Sequence, residues 1–263
     1  MISHPNCKIN LGLHVVGKRP DGYHDLETLF LPVHDLCDEL EVNVVDSSQS
    51  AAASTMAQEG IVLDNAPEDN LCIKAWRLLH DECGIPAVSI RLKKSIPFGA
   101  GLGGGSADAA FTLKMLNEMF DLGLTDSQLE QRAARLGADC AFFIRNQAAY
   151  ATGIGDRLSP IDLNLDNYRI VIEIPDGEHV STKEAYSGLR HDLFGTKRPD
   201  LREAARRPIG EWKNLIVNDF EASVFPFHPA IAALKADLYR RGALYASMTG
   251  SGAAVFGIFR VEN

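Results

Sequence analysis

Cysteine is scarce and scattered in this 263-residue chain: Cys7, Cys37, Cys72, Cys83 and Cys140 are odd in number and form no C-x-x-C pair. That spacing argues against a disulfide framework or a zinc cage and predicts free, mostly buried thiols. Long apolar runs are also missing. No stretch of about 18 apolar residues that could span a bilayer occurs, and the opening M-I-S-H-P-N-C-K lacks the basic and apolar regions of a signal peptide. The expectation is a cytoplasmic protein with no membrane partner. Positive charge is in deficit, with 26 Lys and Arg against 35 Asp and Glu, a net charge of -9. Nucleic acids and anionic membrane surfaces require a basic field, so neither is expected as a partner. A small anionic substrate needs only local donors and remains open.

What is present fits an ordinary globular chain, 46% hydrophobic and 23% charged. Strand-like alternation at Ile9, Leu11 and Leu13 is interrupted by K-R-P-D-G-Y-H at 18–24, which predicts a hairpin turning at Pro20-Asp21-Gly22. Further strands are expected at 39–45, 88–92, 142–144, 148–151, 169–174 and 254–259. Helices are expected from Asn70 to about 82, over 106–120, from the capping box Thr125-Asp126-Ser127-Gln128 to Gly137, and near 182–189, 214–224 and 229–241. Residues 46–60 read as a connection, with a short helix as the alternative, and 190–213 as a loop. Mixed strands and helices without strict βαβ alternation predict an α+β protein in two lobes with a boundary near 155–165.

Glycine is concentrated at one place. Five of the seven positions from Gly99 to Gly105 are glycine, between a strand ending at Ile96-Pro97 and the amphipathic helix opening at Ser106. A loop or helix cap needs one or two glycines. Five permit a backbone that approaches a ligand closely, with the free N–H groups and positive dipole end of the helix facing an anion. The segment therefore reads as a phosphate cradle. Gly99-x-Gly101-x-x-Gly104 also matches the dinucleotide spacing, but it lacks a first βαβ unit and an acidic residue at the next strand end. Gly12 to Arg19 nearly matches a Walker A loop, yet carries Arg19 where Ser or Thr must stand and lies in the predicted hairpin.

Five segments together resemble the GHMP kinase superfamily: P-N-C-K-I-N-L-G-L-H-V near the start, K-R-P-D-G-Y-H at 18–24, I-P-F-G-A-G-L-G-G-G-S-A-D-A-A at 96–110, G-A-D-C-A-F-F at 137–143 and M-T-G-S-G-A-A-V-F at 248–256. K-I-N-L with D-G-Y-H narrows the resemblance to members acting on a cytidine-diphosphate-linked methylerythritol. The resemblance implies a ribosomal-protein-S5-domain-2-like N-terminal lobe that binds ATP, over 1–160, and a ferredoxin-like C-terminal lobe contributing to substrate binding, over 161–263. It implies transfer of the ATP γ-phosphoryl group to the substrate 2-hydroxyl, with Mg2+. By motif position, Asp139 is the general base and Lys8 its charged partner. Pro97, Gly99, Gly101, Leu102, Gly103, Gly104, Gly105 and Ser106 hold ATP; Asn10 meets the methylerythritol end, and Tyr23, His24 and Tyr186 meet the cytosine.

These residue types suit that chemistry. A hydroxyl is a poor nucleophile at neutral pH, and an aspartate within hydrogen-bond reach accepts its proton as the O–P bond forms. Cys140-Ala141-Phe142-Phe143 predicts an apolar wall beside Asp139. Lys18, Arg19, Lys93 and Lys94 supply either a local positive field or a solvated face. Four positions depart from the family pattern: Cys7, Ala107, Ala141 and Thr249. The missing hydroxyl at Ala107 removes one candidate nucleotide or magnesium contact, with Ser106, Thr249 and Ser251 as nearby substitutes. Another GHMP-type small-molecule kinase, a non-catalytic nucleotide-binding protein of the same fold and a nicotinamide oxidoreductase are the competing readings.

Overall fold

A computed structural model describes residues 1–45, 54–61, 67–189, 194 and 198–261. Two compact units emerge, each assembled from separate chain segments: residues 1–7, 34–98 and 103–147 in the first, and 8–33, 99–102 and 148–263 in the second.

The first unit is built on a four-stranded sheet in the order β1 (Ile2–Ser3), β4 (Glu39–Val44), β6 (Val88–Lys94), β5 (Thr55–Gly60). β4 and β6 run antiparallel with Leu40 opposite Leu92 and Val42 opposite Ile90, so the alternating apolar residues of both strands share one buried face. Four helices accompany the sheet: α1 (Leu71–Cys83), α2 (Gly104–Met119), α3 (Asp126–Ala134) and α4 (Cys140–Arg145). α1 starts where Asn70 accepts a hydrogen bond from the Cys72 amide and ends at left-handed Gly84. α3 carries the expected capping box, with Thr125 accepting from the Gln128 amide and the Gln128 side chain accepting from the Thr125 amide.

The second unit holds two antiparallel sheets. One has the order β2 (Asn6–Lys18), β3 (His24–Cys37), β7 (Ala149–Thr152), β8 (Arg157–Pro160), with the first two residues of β2 and the last four of β3 belonging to the first unit. The β2–β3 hairpin turns as expected: the Tyr23 carbonyl accepts from the Arg19 amide, Asp21 accepts from the Tyr23 amide, and Gly22 takes φ +90°. The other sheet has the order β10 (Tyr245–Met248), β11 (Val255–Arg260), β9 (Tyr168–Glu173). Around them lie α5 (Thr182–Ser187), α6 (Leu201–Ala205), α7 (Phe220–Val224) and α8 (Pro229–Arg240). Leu13 and Val15 of β2, Phe220 and Val224 of α7, Leu238 of α8 and Met248 of β10 join one apolar core.

Four expectations are corrected. Phe142-Phe143-Ile144 is helical, inside α4, because a short apolar run buried on all sides has no period to separate strand from helix. Residues 55–60 form β5, an edge strand parallel to β6, where only one face needs partial cover; residues 46–53 lie outside the described residues. The 190–213 connection contains α6 and the start of a 3-10 turn at Ile209–Asn214, and α7 is shorter than the 214–224 helix expected. Strand β10 has no counterpart in the sequence reading, since Y-A-S-M alternates weakly although all four residues are buried. No disulfide forms among the described residues, and Cys7, Cys72 and Cys140 are buried.

Replacing Thr125 by Ala removes a side-chain acceptor from the first turn of α3, and a lost cap of this type costs about 1 kcal/mol. Urea unfolding of Thr125→Ala is expected to show that loss at unchanged slope; a midpoint equal to the parent's would mean the box contributes nothing.

Candidate functional site

The glycine loop follows β6 and enters α2. Gly99, Gly101 and Gly103 all take positive φ, at +68°, +77° and +73°. At Gly101 the constraint is steric as well, since a Cβ would stand 2.3 Å from the Thr249 carbonyl oxygen. Gly105 is different. Its φ is not left-handed and a Cβ would meet only Leu71 at 3.9 Å, so the chain's own packing does not require glycine there. Gly103 caps α2 without any side-chain hydrogen bond. The first turn of α2 therefore presents uncapped backbone donors beside a backbone kept bare at Gly105, the arrangement that suits a phosphate.

Beneath that turn lies a buried ionic cluster. Lys94, the last residue of β6, is ion-paired to Asp38 and, at 2.7 Å, to Asp108 in α2. Asp38 also accepts from the backbone amides of Ser95 (2.6 Å) and Ile96 (2.9 Å), at the entry to the loop. All three charged side chains are at most 3% exposed. Lys94 thus belongs to neither the solvated face nor the open positive field that its sequence neighbourhood suggests. Lys18 and Lys93 are exposed, and Arg19 pairs with Asp21 at 3.0 Å.

The G-A-D segment lies in the same unit. Asp139 is half-buried at the residue preceding α4, and Cys140 to Ile144 behind it are buried, which is the apolar wall expected. A Cβ on Gly137 would be 3.2 Å from Cys140 Sγ and 3.9 Å from Ser106 Oγ. Burial pushes the Cys140 thiol up to about 11, against a hydrogen bond with Ser106 that pulls the other way. The first turn of α2 and the G-A-D segment are therefore immediate neighbours.

In the second unit, β2 buries its polar face as well as its apolar one. Lys8, Asn10 and His14 are 3%, 2% and 2% exposed. Lys8 Nζ donates to Asn10 Oδ1 at 2.6 Å and lies 4.9 Å from the centre of the Phe30 ring. Asn10 Nδ2 donates to Thr28 Oγ1 at 3.0 Å, and Thr28 donates to the Gly12 carbonyl at 2.5 Å. Thr249 accepts from the Asn10 amide at 2.9 Å and bonds the Gly101 carbonyl at 3.2 Å. Its hydroxyl is thus engaged in holding β2 to residues 99–102.

Tyr23, His24 and Tyr186 also belong to this unit. His24 stacks on Tyr186 with ring centroids 4.7 Å apart and an interplanar angle of 26°, and Tyr186 meets Phe220 edge to face at 4.8 Å. Tyr23 is 63% exposed at the hairpin and is not a hairpin packing residue. The aromatic seated on Tyr186 is therefore His24.

Residues 70–147 match the family described as GHMP kinases N terminal domain, and residues 199–263 match GHMP kinases C terminal. A 4-diphosphocytidyl-2-C-methyl-D-erythritol kinase of Bacteroides fragilis is 52% identical, across 100% of this chain and 93% of that protein. The chain belongs to the 4-diphosphocytidyl-2-C-methyl-D-erythritol kinase family. A solved structure of a 4-(cytidine 5'-diphospho)-2C-methyl-D-erythritol kinase superposes with TM-score 0.80 at 33% identity, covering 98% of this chain and 90% of that one. The Methanococcus jannaschii mevalonate kinase, at TM-score 0.72 and 14% identity over 99% of this chain and 90% of that one, shares the fold.

The α+β, two-lobed GHMP kinase fold expected from the motifs is thereby established, and with it an ATP-dependent small-molecule kinase. The nicotinamide reading fails on topology: β6 pairs antiparallel with β4, and the strand after α2 and its neighbours, β7, lies in another sheet. Ala107 is fully buried in α2 of this kinase. Sequence reasoning missed Asp38 altogether and mistook Lys94. The available signal was Asp108, an acidic residue on the otherwise apolar A-D-A-A-F stretch of a buried helix, which demands a partner.

Burial raises the Asp108 carboxyl to about 7, with Lys94 opposing and Asp38 reinforcing the rise, and Asp108 Oδ1 has no hydrogen-bond partner among the described residues. Burial alone would lower Lys94, but the two carboxylates around it override that and hold it above its ordinary value. Since the folded Asp108 binds its proton more tightly than the unfolded chain does, its contribution to stability is complete below the ordinary carboxylate range. That contribution declines as pH rises to about 7. Asp108→Asn is expected to flatten the melting-temperature profile between pH 4 and 7; an unchanged slope would reject Asp108 as the titrating group.

Proposed function

We propose that this chain transfers the γ-phosphoryl group of ATP to the 2-hydroxyl of 4-diphosphocytidyl-2-C-methyl-D-erythritol, giving the 2-phosphate and ADP, in the non-mevalonate route to isoprenoid precursors. The observation that carries the chemistry is the juxtaposition of the G-A-D segment with the first turn of the glycine helix at Gly137, Cys140 and Ser106. It puts a carboxylate-bearing turn next to the first turn of α2, which this reading assigns to ATP's phosphates.

In this reading Asp139 is the general base. It accepts the 2-hydroxyl proton as the oxygen attacks phosphorus, a contribution typically of about 10²–10⁴-fold. Lys8 is its charged partner and stabilises the charge that develops on the transferring group. Its burial and its hydrogen bond to Asn10 Oδ1 give the ammonium a defined position. Asn10, held by Thr28 and Thr249, orients the methylerythritol end. Pro97, Gly99 and Gly101 to Ser106 hold the ATP phosphates through backbone N–H groups and the α2 dipole. Gly105, bare without need of its own, is the point where the nucleotide approaches.

Tyr23, His24 and Tyr186 recognise the cytosine by stacking and by its Watson–Crick edge. In domain terms we assign ATP binding to residues 1–160 and a share of substrate binding to 161–263. Magnesium, when bound with the nucleotide, would supply charge neutralisation for the transferring phosphoryl group. Among the described residues no group of three His, Cys, Asp or Glu side chains gathers as a cage. We place the reaction in the cytoplasm, where ATP is supplied.

A coupled ADP-release assay comparing the cytidine-linked methylerythritol with mevalonate and homoserine tests the assignment, with turnover on the first alone expected; preference for either of the others would move this chain to a different GHMP activity. Asp139→Asn should lower kcat by about 10²-fold or more at unchanged ATP affinity. Near-parental turnover would remove Asp139 from the base role. Tyr23→Ala should weaken the cytidine substrate by about 1–3 kcal/mol without touching ATP, and an unaltered substrate constant would exclude stacking by that ring.

A further inference from the structure

Away from the phosphate loop, the second unit contains a histidine held from both sides. His228 lies immediately before α8, with its Nδ1 2.5 Å from Glu178 Oε2 and its Nε2 3.1 Å from Glu184 Oε1. A neutral imidazole has one N–H and one lone pair, so it can donate to only one of two carboxylates and must turn its lone pair toward the other. Both contacts are favourable only for the imidazolium, which donates from each nitrogen. Glu178 belongs to the segment between β9 and α5, and Glu184 to the first turn of α5 itself. One cation thus links the approach to α5 with its start.

The segment so held carries a binding residue of the proposed function. Two residues after Glu184 comes Tyr186, which stacks on His24 and abuts Phe220. α5 is also held by a Ser223 hydroxyl donating to the Ala185 carbonyl at 2.7 Å, by the close approach of Gly188 to Ser223, by Thr182 Oγ1 lying 3.4 Å from Ser251 Oγ, and by Val180, Ala185 and Leu189 in the apolar core. Ahead of α5, the His179 ring sits 2.8 Å from where a Gly99 Cβ would stand. The far side of α5 is therefore anchored on α7, while on its N-terminal side the Glu184 carboxylate adds to the Ser181 cap and to buried Val180. Without a cation between them the two carboxylates would repel, which displaces the start of α5 from this position.

We propose that His228 is a positioning residue for the cytidine-binding side of the site: its imidazolium draws Glu178 and Glu184 together and so holds α5 where Tyr186 can receive the substrate base. The proposal rests on the cytidine-substrate reading above. The titratable groups acting on the clamp are Glu178, Glu184 and, through Glu184, His179. The hydrogen bond to Glu178 first, and that to Glu184 second, raise His228 above the ordinary histidine range. The clamp is accordingly complete below that range and is lost as pH rises through the raised value.

The test combines kinetics with nuclear magnetic resonance on the full chain. Histidine-labelled protein, with the His228 signal assigned through His228→Gln, should show both ring nitrogens of His228 protonated at pH 6.5 and losing a proton at higher pH, with the Tyr186 ring resonances moving along the same curve. If α5 is correctly placed about a tenth of the time without the clamp, KM for the cytidine substrate rises about tenfold over that titration, while kcat stays level. His228→Gln should show the high KM at all pH values, and His228→Arg, a cation at every pH tested, should restore the low KM and remove the alkaline rise. A purely structural histidine would lower the melting temperature of both variants and leave the pH profile of KM unchanged, which overturns the proposal. It is equally overturned if His228 titrates at an ordinary value or if Tyr186 does not follow it. Should the parent chain fail to phosphorylate the cytidine substrate, the functional reading falls, and the coupling of Tyr186 to His228 still decides the clamp.

Discussion

The entry to the glycine loop depends on one buried ammonium. Lys94 ends β6, and its pairing with Asp108 pins that strand end to α2 while its pairing with Asp38 pins it to the turn between β3 and β4. Asp38 spends its second oxygen on the amides of Ser95 and Ile96, so the same carboxylate fixes both the lysine and the backbone leading into the glycines. A buried cluster of this kind is a poor source of net stability, because the desolvation of each charge offsets most of the attraction. Removing one partner, in contrast, leaves a buried charge uncompensated, at a cost of about 3–5 kcal/mol. The cluster's value is therefore geometric. A loop rich in glycine has high conformational entropy, and its entry is restrained here by fixed charges where its own side chains cannot restrain it.

Strand β2 solves a related problem with neutral groups. A strand that alternates apolar and polar residues normally turns the polar set to water. In β2 both sets are buried, and Asn10, Thr28 and Thr249 form a connected chain of donors and acceptors beside Lys8, while His14 Nε2 has no hydrogen-bond partner among the described residues. Hydrogen bonds satisfied in a low-dielectric interior restrict rotamers strongly, because every alternative leaves a group unpaired. Lys8, bonded to Asn10 at one end of this chain, thus has its position specified through several side chains rather than by its own flexible stem.

What could be read in the sequence divides along physical lines. Local rules that a few consecutive residues obey by themselves were legible: the Pro20-Asp21-Gly22 turn, the Thr125 to Gln128 box, the glycine run before a helix and the Asn70 cap. Features whose cause lies in distant residues were not. Phe142 to Ile144 is equally apolar as strand or helix, and the choice is made by burial within the first unit. β5 exists because β6 offers it a parallel edge, not because T-M-A-Q-E-G favours extension. Lys94 looks like any lysine beside Lys93 until Asp38, 56 residues earlier, is seen to pair with it. The proposed site follows the same division: the motifs marked Lys8, Asn10 and Asp139, while the restraints holding their surroundings, from Asp38 to Thr249, required the folded chain.

The acidic composition then has a specific meaning. A chain with net charge -9 that acts on ATP cannot rely on a general basic field, and the cluster beneath α2 shows why adding lysines would not by itself supply one. Lys94, although close to the glycine loop, is paired with two carboxylates and so offers no free positive charge to a ligand. The attraction available to an anion at Gly103 to Ser106 comes instead from oriented backbone N–H groups, which are fixed partial charges that neither titrate nor depend on long side chains. Such donors act over one turn of helix and are nearly indifferent to the sign of the distant surface. A strongly acidic protein can hold a polyphosphate this way, and its remaining negative charge disfavours the larger polyanions that a basic surface would also attract.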